Sequence, residues 1–537
     1  MMQNFSLRVS GILDHAARYH PRRAVIGRSI EGPIVKSNWR EIHREARQVS
    51  AALRELGIKK GDVIGVMAWN TVRHLAVWYG VPGAGAVNHT LNPRLFAEQL
   101  TYIVNHAEDR FIMVDLDLLP IFESLIDKLP NIEKIIVLTD REHMPESKLD
   151  LICYAEMIAG QPDDAPWVEG DENDASGICY TSGTTGNPKG VVYSHRANVL
   201  HALSVIAPDM LNLSSHDRIM PVVPLFHANG WSLAYSAPMA GASMVMPGRD
   251  MTAPALYEML ELGVTVTAAV PTIWLGMLQH LEAENLGLRT LKRVVIGGSS
   301  CPRAVIEAFQ KNYGVQVLHA WGMTEMSPLG TICSFKPEIS ALPKEARLDV
   351  QETVGHPPYT VDLTIVNDAG KSLPWDGKTP GRLLSKGAAV VQRYLKAEND
   401  IVDADGWFDT GDVAVIDENG YVRITDRSKD VIKSGGEWIS SIEMENCAVA
   451  HPDVAEAAAV AVPHPKWDER PVLAVVAMPG KIPDRSSIMS LLVKRFAKWQ
   501  LPDEIIVVED LPHTATGKVS KLELRQRLKD QGYELPN

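Results

Sequence analysis

The sequence predicts an α/β protein: a large N-terminal part of mostly parallel sheets covered by helices, then a small α+β unit. Runs of continuous apolar residues alternate with segments of helical periodicity, the pattern of parallel strands buried on both faces. Beyond Asp426 the order changes to helix, paired strands, helix and strand. At 537 residues the chain is too long for one small core, and two or more domains are required.

In chain order, Glu41 to Leu56 places Ile42, Ala46, Val49, Leu53 and Leu56 at helical spacing, and Gly57 follows as a stop. Asp62–Ala68, Phe111–Val114 and Ile135–Leu138 read as buried strands. Ala175–Tyr180 and Gly190–Tyr193 are short strands on either side of a glycine-rich loop. Val264–Val270, Val294–Ile296 (running into Gly297 and Gly298) and Val315–Leu318 continue the strand series. After Tyr421–Asp426 come a helix from Ser441, strands near Ala455–Val462 and Val472–Ala477, a helix over Ser486–Trp499 and a strand at Ile505–Val508. That is a unit of about the smallest common domain size. No internal repeat or low-complexity segment interrupts the chain.

Hydrophobic residues make up 45% and charged residues 22%, as in a packed globular protein and unlike a disordered one. A formal net charge of -13 speaks against a general binder of nucleic acid or anionic membranes. An anionic substrate must therefore meet a locally basic site. The cysteines Cys153, Cys179, Cys301, Cys333 and Cys447 show no C-x-x-C spacing and read as reduced, buried thiols without zinc. The first residues lack the apolar core of a secretion signal, and no apolar run reaches membrane-spanning length, so a cytoplasmic protein is expected.

The string Tyr180-Thr-Ser-Gly-Thr-Thr-Gly-Asn-Pro-Lys-Gly190 is suited to a polyphosphate. Gly183, Gly186 and Gly190 allow tight turns and bring N–H groups close to an anion. Thr181, Ser182, Thr184 and Thr185 add hydroxyl donors, and Lys189 adds a compact positive charge. Pro188 before the lysine and Gly190 after it distinguish the loop from G-x-x-x-x-G-K-[ST].

This string resembles the phosphate loop of the acyl-adenylate-forming enzymes: acyl-CoA synthetases, peptide-synthetase adenylation domains and firefly-type luciferases. Trp321-Gly-Met-Thr-Glu325, Phe408-Asp-Thr-Gly-Asp412, Asp426-Arg-Ser-Lys-Asp-Val-Ile-Lys-Ser-Gly-Gly436 and Thr516-Gly-Lys518 follow in the family's order. The wording of residues 180–332 looks most like bacterial medium-chain fatty-acyl-CoA ligases and 3-methylmercaptopropionyl-CoA ligases. The resemblance implies a hinge at Asp426, between an ATP- and acyl-binding domain (1–425) and a mobile C-terminal domain (426–537). It also implies ATP, Mg2+ and coenzyme A as cofactors and a homodimer as the assembly to test.

The chemistry such enzymes perform explains the two domains. A carboxylate does not react with a thiol, because oxide is a poor leaving group. Attack on the α-phosphate of ATP makes an acyl-adenylate, and the CoA thiol then displaces AMP. The first step gathers anions, whereas the second needs a channel for a pantetheine arm.

By resemblance, Lys518 is the adenylation lysine, while nearby Lys521 reads as solvated surface. Glu325 is the expected magnesium ligand, with the Thr181 hydroxyl as a second. Trp321 stands where most members carry tyrosine and is expected to stack on adenine. Gly297, Gly298 and Ser299 resemble the wall beside adenine and acyl phosphate, and Ala320, Thr324 and Ile424 join that pocket. Asp412 and Arg427 are expected at the ribose. Lys429, Lys433, Gly435, Gly436 and Trp438 belong to a segment that swings in for thioester formation. His227 resembles a histidine beside the reacting carboxylate, either positioning residue or gate. Trp231 resembles an aromatic that gates the tunnel of long-chain relatives.

A short- to medium-chain acid is favoured, with 3-methylmercaptopropionate a candidate. Alternatives are a long-chain ligase, a carrier-loading adenylation enzyme, a luciferase-like oxygenase and a silent nucleotide-binding regulator. The last is expected to lack Lys518 or Glu325.

Overall fold

A computed structural model describes residues 1–181, 187–434, 437–513 and 519–530, with the backbone alone at 437 and 438. An eight-stranded sheet runs Leu329–Ile332, Gln316–Gly322, Arg293–Ile296, Val266–Ala269, Arg218–Pro221, Ser243–Met246, Ala24–Arg28, Ile34–Asn38. Its inner neighbours are parallel, and the outermost pair at each edge is antiparallel. A seven-stranded sheet runs Leu151–Cys153, Lys134–Val137, Asp109–Val114, Val63–Met67, Val87–Thr90, Ala175–Tyr180, Gly190–Ser194. Only its last pair is antiparallel.

The residue types explain these sheets. Val266–Ala269 and Ser243–Met246 are buried at every position, so neither strand has a polar face. The edge strand Ile34–Asn38 begins with three exposed residues, among them Lys36, which discourages pairing with another chain. The helix Trp39–Glu55 starts where Asn38 Oδ1 accepts the Glu41 N–H at 3.1 Å. It packs on the helix Val72–Gly83, where Gly80 permits close approach: a Cβ there would lie 2.6 Å from Val49. Asn70 links the two sheets. Its amide donates to the carbonyls of Pro221 (2.7 Å) and Val223 (2.9 Å), and its oxygen accepts the Leu225 N–H at 2.8 Å.

A third sheet, absent from the sequence reading, is antiparallel: Val361–Val366, Gly381–Gly387, Phe408–Ile416, Val422–Arg427. It carries Asp412 and Arg427 as paired residues on adjacent strands.

The C-terminal unit combines the helices Ser441–Val449 and Arg485–Val493 with a five-stranded sheet. Ile488 and Leu492 seat the second helix on the core with Ile432, Leu473 and Ile505. The expected helix over Ser486–Trp499 is shorter than predicted. Arg470 donates to the Trp499 carbonyl (2.5 Å) and the Leu501 carbonyl (2.9 Å), which holds that backbone out of a continuing helix.

Lys521 is a second correction. It is not solvated: its side chain is 12% exposed, and its ammonium meets Glu445 Oε1 at 2.7 Å and the Ser441 hydroxyl. Asp426, fully buried, accepts the Ser441 N–H at 2.7 Å. Burial alone would depress the Lys521 ammonium, but Glu445 and Asp426 outweigh it and hold the pKa above its ordinary value. The C-terminal unit touches the larger part where Asn446 donates to Ser300 Oγ at 2.8 Å and where Arg495 meets Glu352 at 3.4 Å.

Candidate active site

The glycine-rich loop leaves the edge of the seven-stranded sheet at Tyr180 and returns at Gly190. Its neck is closed by two hydrogen bonds. The Thr181 N–H donates to the Lys189 carbonyl at 2.9 Å, and the Lys189 N–H donates to Thr181 Oγ1 at 3.2 Å. Tyr180 anchors the entry through a 2.7 Å bond between its hydroxyl and His106 Nδ1. Ser182, Gly183, Thr184, Thr185 and Gly186 lie outside the described residues, as do Gly435, Gly436 and Lys518.

Glu325 sits in the short turn Thr324–Met326 beyond the strand Gln316–Gly322, where α/β sheets place ligands. The residue is 7% exposed, and its carboxylate accepts the Tyr394 O–H at 2.7 Å. Tyr394 also ties this carboxylate to the loop, because Lys189 Nζ lies 5.0 Å from its ring centroid. Burial, then the charge of Glu325, push the Tyr394 phenol above its ordinary pKa, so it stays a donor. The Thr324 carbonyl accepts the Tyr193 hydroxyl at 2.7 Å, fixing the turn against the strand that follows the loop. The sequence reading missed Tyr394. No local pattern marks it, because its partner is 69 positions away.

Trp321, Asp412 and Arg427 come together. The Trp321 indole N–H donates to Asp412 Oδ2 at 2.9 Å, and Arg427 Nε lies 2.8 Å from Asp412 Oδ1. Asp412 is buried, whereas the Arg427 side chain is 42% exposed. Asp412 lies inside the strand Phe408–Ile416, and its N–H donates to Thr410 Oγ1 at 3.1 Å. Ile424, on the facing strand, pairs with Ala414 and packs on the core that contains Trp321.

Gly297, expected from the resemblance beside the acyl phosphate, is tightly enclosed. A Cβ there would lie 2.8 Å from the Ala320 carbonyl oxygen and 3.1 Å from the Trp231 indole, so glycine is what fits. Gly298 takes φ +85°, and Ser299 is exposed beside it. Trp231 belongs to a left-handed run, Ala228 to Ser232, with φ between +38° and +63°. Four of these five residues carry a Cβ and are strained there; the run persists because all five are buried. His227 caps the run, and its carbonyl accepts the Gly230 N–H at 3.0 Å.

Two buried imidazoles support these walls. His319 Nε2 accepts the Cys301 N–H at 3.3 Å, beside Ser299, and His201 Nε2 accepts the Leu329 N–H at 3.0 Å. Burial pushes both down to about 4, so both are neutral acceptors at pH 7.

Lys433 sits in the strand Ile432–Ser434, pairs in register with Trp438, and donates its N–H to Glu469 at 2.8 Å. Its described contacts, unlike those of Arg427, lie within the C-terminal unit. Lys429 is exposed on the turn after Arg427. All five cysteines are buried and unbridged. Among the described residues, no helix is long and apolar enough to cross a membrane.

Residues 13–395 match the AMP-binding enzyme family, and residues 443–518 match the AMP-binding enzyme C-terminal domain. A 3-methylmercaptopropionyl-CoA ligase of Ruegeria pomeroyi is 46% identical over 526 residues, covering 98% of each chain. A medium-chain-fatty-acid–CoA ligase of Ectopseudomonas oleovorans is 43% identical over 532 residues, covering 99% of this chain and 97% of its own. The fold superposes on that of the anthranilate CoA ligase AuaEII with a TM-score of 0.88, at 24% identity and over 99% of both chains. With the fold, the motifs and both family matches in agreement, the chain belongs to the AMP-binding enzyme family.

Proposed function

We propose that the protein is an ATP-dependent acyl-CoA ligase. In this reading it converts a short- to medium-chain carboxylic acid, with 3-methylmercaptopropionate as candidate, to its CoA thioester, releasing AMP and pyrophosphate. The observation that carries the reading is a buried carboxylate, Asp412, held by Trp321 and Arg427 as a ribose acceptor, in a chain 46% identical to a ligase of that kind.

In the first step a carboxylate oxygen of the acid bonds to the α-phosphorus and pyrophosphate leaves. Asp412 accepts the ribose hydroxyls, while Lys189 and the loop's N–H groups meet the phosphates. Lys518 brings an ammonium to the incoming carboxylate, lowering anionic repulsion in a partly dry site. Glu325 and the Thr181 hydroxyl would hold magnesium; their hard oxygens suit it, and it supplies charge neutralisation at the phosphates when bound. Among the described residues no group of three His, Cys, Asp or Glu forms a cage, in keeping with an ion that shares its shell with phosphate and water.

In the second step the CoA sulfur bonds to the acyl carbon and AMP leaves. The segment from Lys429 through Trp438 swings about Asp426, and Gly435 and Gly436 let pantetheine pass close to the backbone. The acyl chain runs along the wall that Gly297 and the Trp231 indole packed on it form together, with His227 beside its carboxylate. Trp231, fixed by its strained turn, limits pocket depth.

The test is an assay with ATP, magnesium and a panel of acids, with and without CoA, scored for pyrophosphate, AMP and acyl-CoA. CoA-dependent thioester from acids of short to medium length is the expected outcome. Pyrophosphate release with no thioester from free CoA would sink the reading in favour of carrier loading.

A further inference from the structure

The geometry points to Trp321 as the positioning residue for Asp412, and so as the residue that sets discrimination between ribo- and deoxyribonucleotides. This rests on the reading of Asp412 as the ribose acceptor, but assigns Trp321 a task other than stacking on adenine.

An indole N–H is a donor only, so toward Asp412 it can act solely by donating to a carboxylate oxygen. Here it meets Asp412 Oδ2 at 2.9 Å while Arg427 meets Oδ1 at 2.8 Å. With one donor on each oxygen, rotation of the carboxylate about its Cβ–Cγ bond is blocked. The two hydroxyls of a ribose then meet an acceptor pair whose plane is already set. A buried carboxylate without such donors carries a desolvation penalty and is free to turn away.

The indole itself has little freedom. A Cβ at Gly330 would lie 2.7 Å from Cζ3 and 2.9 Å from Cε3 of Trp321, so the benzo ring rests on a glycine. The same Cβ would lie 2.6 Å from Met326 Cε, and Met326 shares a buried core with Trp321. Trp321 also sits where the pairing of Gln316–Gly322 with Leu329–Ile332 shifts register, between Trp321 and Gly322. The bulge and the missing side chain at 330 together aim the N–H edge at Asp412. Phenylalanine at 321 retains an aromatic ring and loses the donor.

The experiment is equilibrium binding, by calorimetry, of ATP, 2′-deoxy-ATP and 3′-deoxy-ATP to the full chain and to Trp321→Phe. Wild type is expected to prefer ATP over at least one deoxy analogue by tenfold or more. Trp321→Phe is expected to reduce that preference by at least threefold. A second variant replaces Trp321 with β-(3-benzothienyl)alanine, which keeps the bicyclic shape and exchanges N–H for sulfur. It is expected to lose the same preference and carries the test if the phenylalanine variant does not fold. Equal weakening of all three nucleotides, or an unchanged preference, overturns the role of Trp321 and leaves the ligase reading standing. A wild type that binds ATP without preference for its ribose overturns the role of Asp412 as well.

Discussion

Two charge networks meet at one strand end and behave oppositely. Arg427 faces Asp412, which Trp321 also holds, and its side chain is 42% exposed. Its neighbour Asp426, pointing the other way as strand alternation requires, is buried against Ser441 and the Lys521–Glu445 pair. The first network is open, so a ligand can exchange with its members. The second is buried, and its described partners lie within the C-terminal unit. Arg525, also on the helix Lys521–Asp530, adds a 2.8 Å pair with Asp430, just past the same strand end. The last helix is thereby bound to the end of the strand Val422–Arg427 and the turn that follows it. The buried ion pair ties one element to another, whereas the half-exposed one keeps a cation open to solvent.

The largest expected effect falls on the buried network. Lys521→Met leaves Glu445 buried without its partner and should cost about 3–5 kcal/mol of stability, read from urea denaturation. Adding Glu445→Gln should recover part of the loss; a double variant no better than the sum of the singles would break the assignment. Lys518→Ala, in the same tail, should leave stability nearly intact. It should instead slow pyrophosphate release by about 10²–10³-fold while thioester formation from supplied acyl-AMP persists. Equal loss of both half-reactions contradicts its role in the first step alone.

A smaller effect is expected at Tyr394→Phe, which removes a hydrogen bond to the Glu325 carboxylate and should cost about 1.5 kcal/mol. A melt indistinguishable from wild type would show the contact to be idle. The smallest effect at neutral pH concerns His319 and His201. Both are depressed from 6.5 to about 4 by burial, so below about pH 6.5 the unfolded chain binds protons that the folded chain refuses. Stability contributed by their neutral state is complete above that pH and drains away as pH falls from 6.5 toward 4. His319→Gln should flatten this acid slope, measured as unfolding free energy against pH.

Much of the frame was legible along the chain because it is written locally. Continuous apolar runs mark strands buried on both faces, and the strands flanking the glycine-rich loop appear where their residues predict them. The third sheet was not legible. Its strand Phe408–Ile416 opens with Asp409, Thr410, Gly411 and Asp412, residues that mostly disfavour strands in isolation, and only pairing with its neighbours on both sides makes it one. Lys521 was misread for a related reason. A lysine in a charged tail looks solvated until the helix Ser441–Val449 folds back and presents Glu445 to it.

By itself the sequence determined the order of motifs, the alternation of strands and helices, and the chemistry of each residue type, since these depend on a residue and its near neighbours. Tertiary structure decided which charges face ligand and which face each other. It brought Trp321 to Asp412 across 91 positions and Tyr394 to Glu325 across 69, because hydrogen-bond partners are set by distance in space and not along the chain.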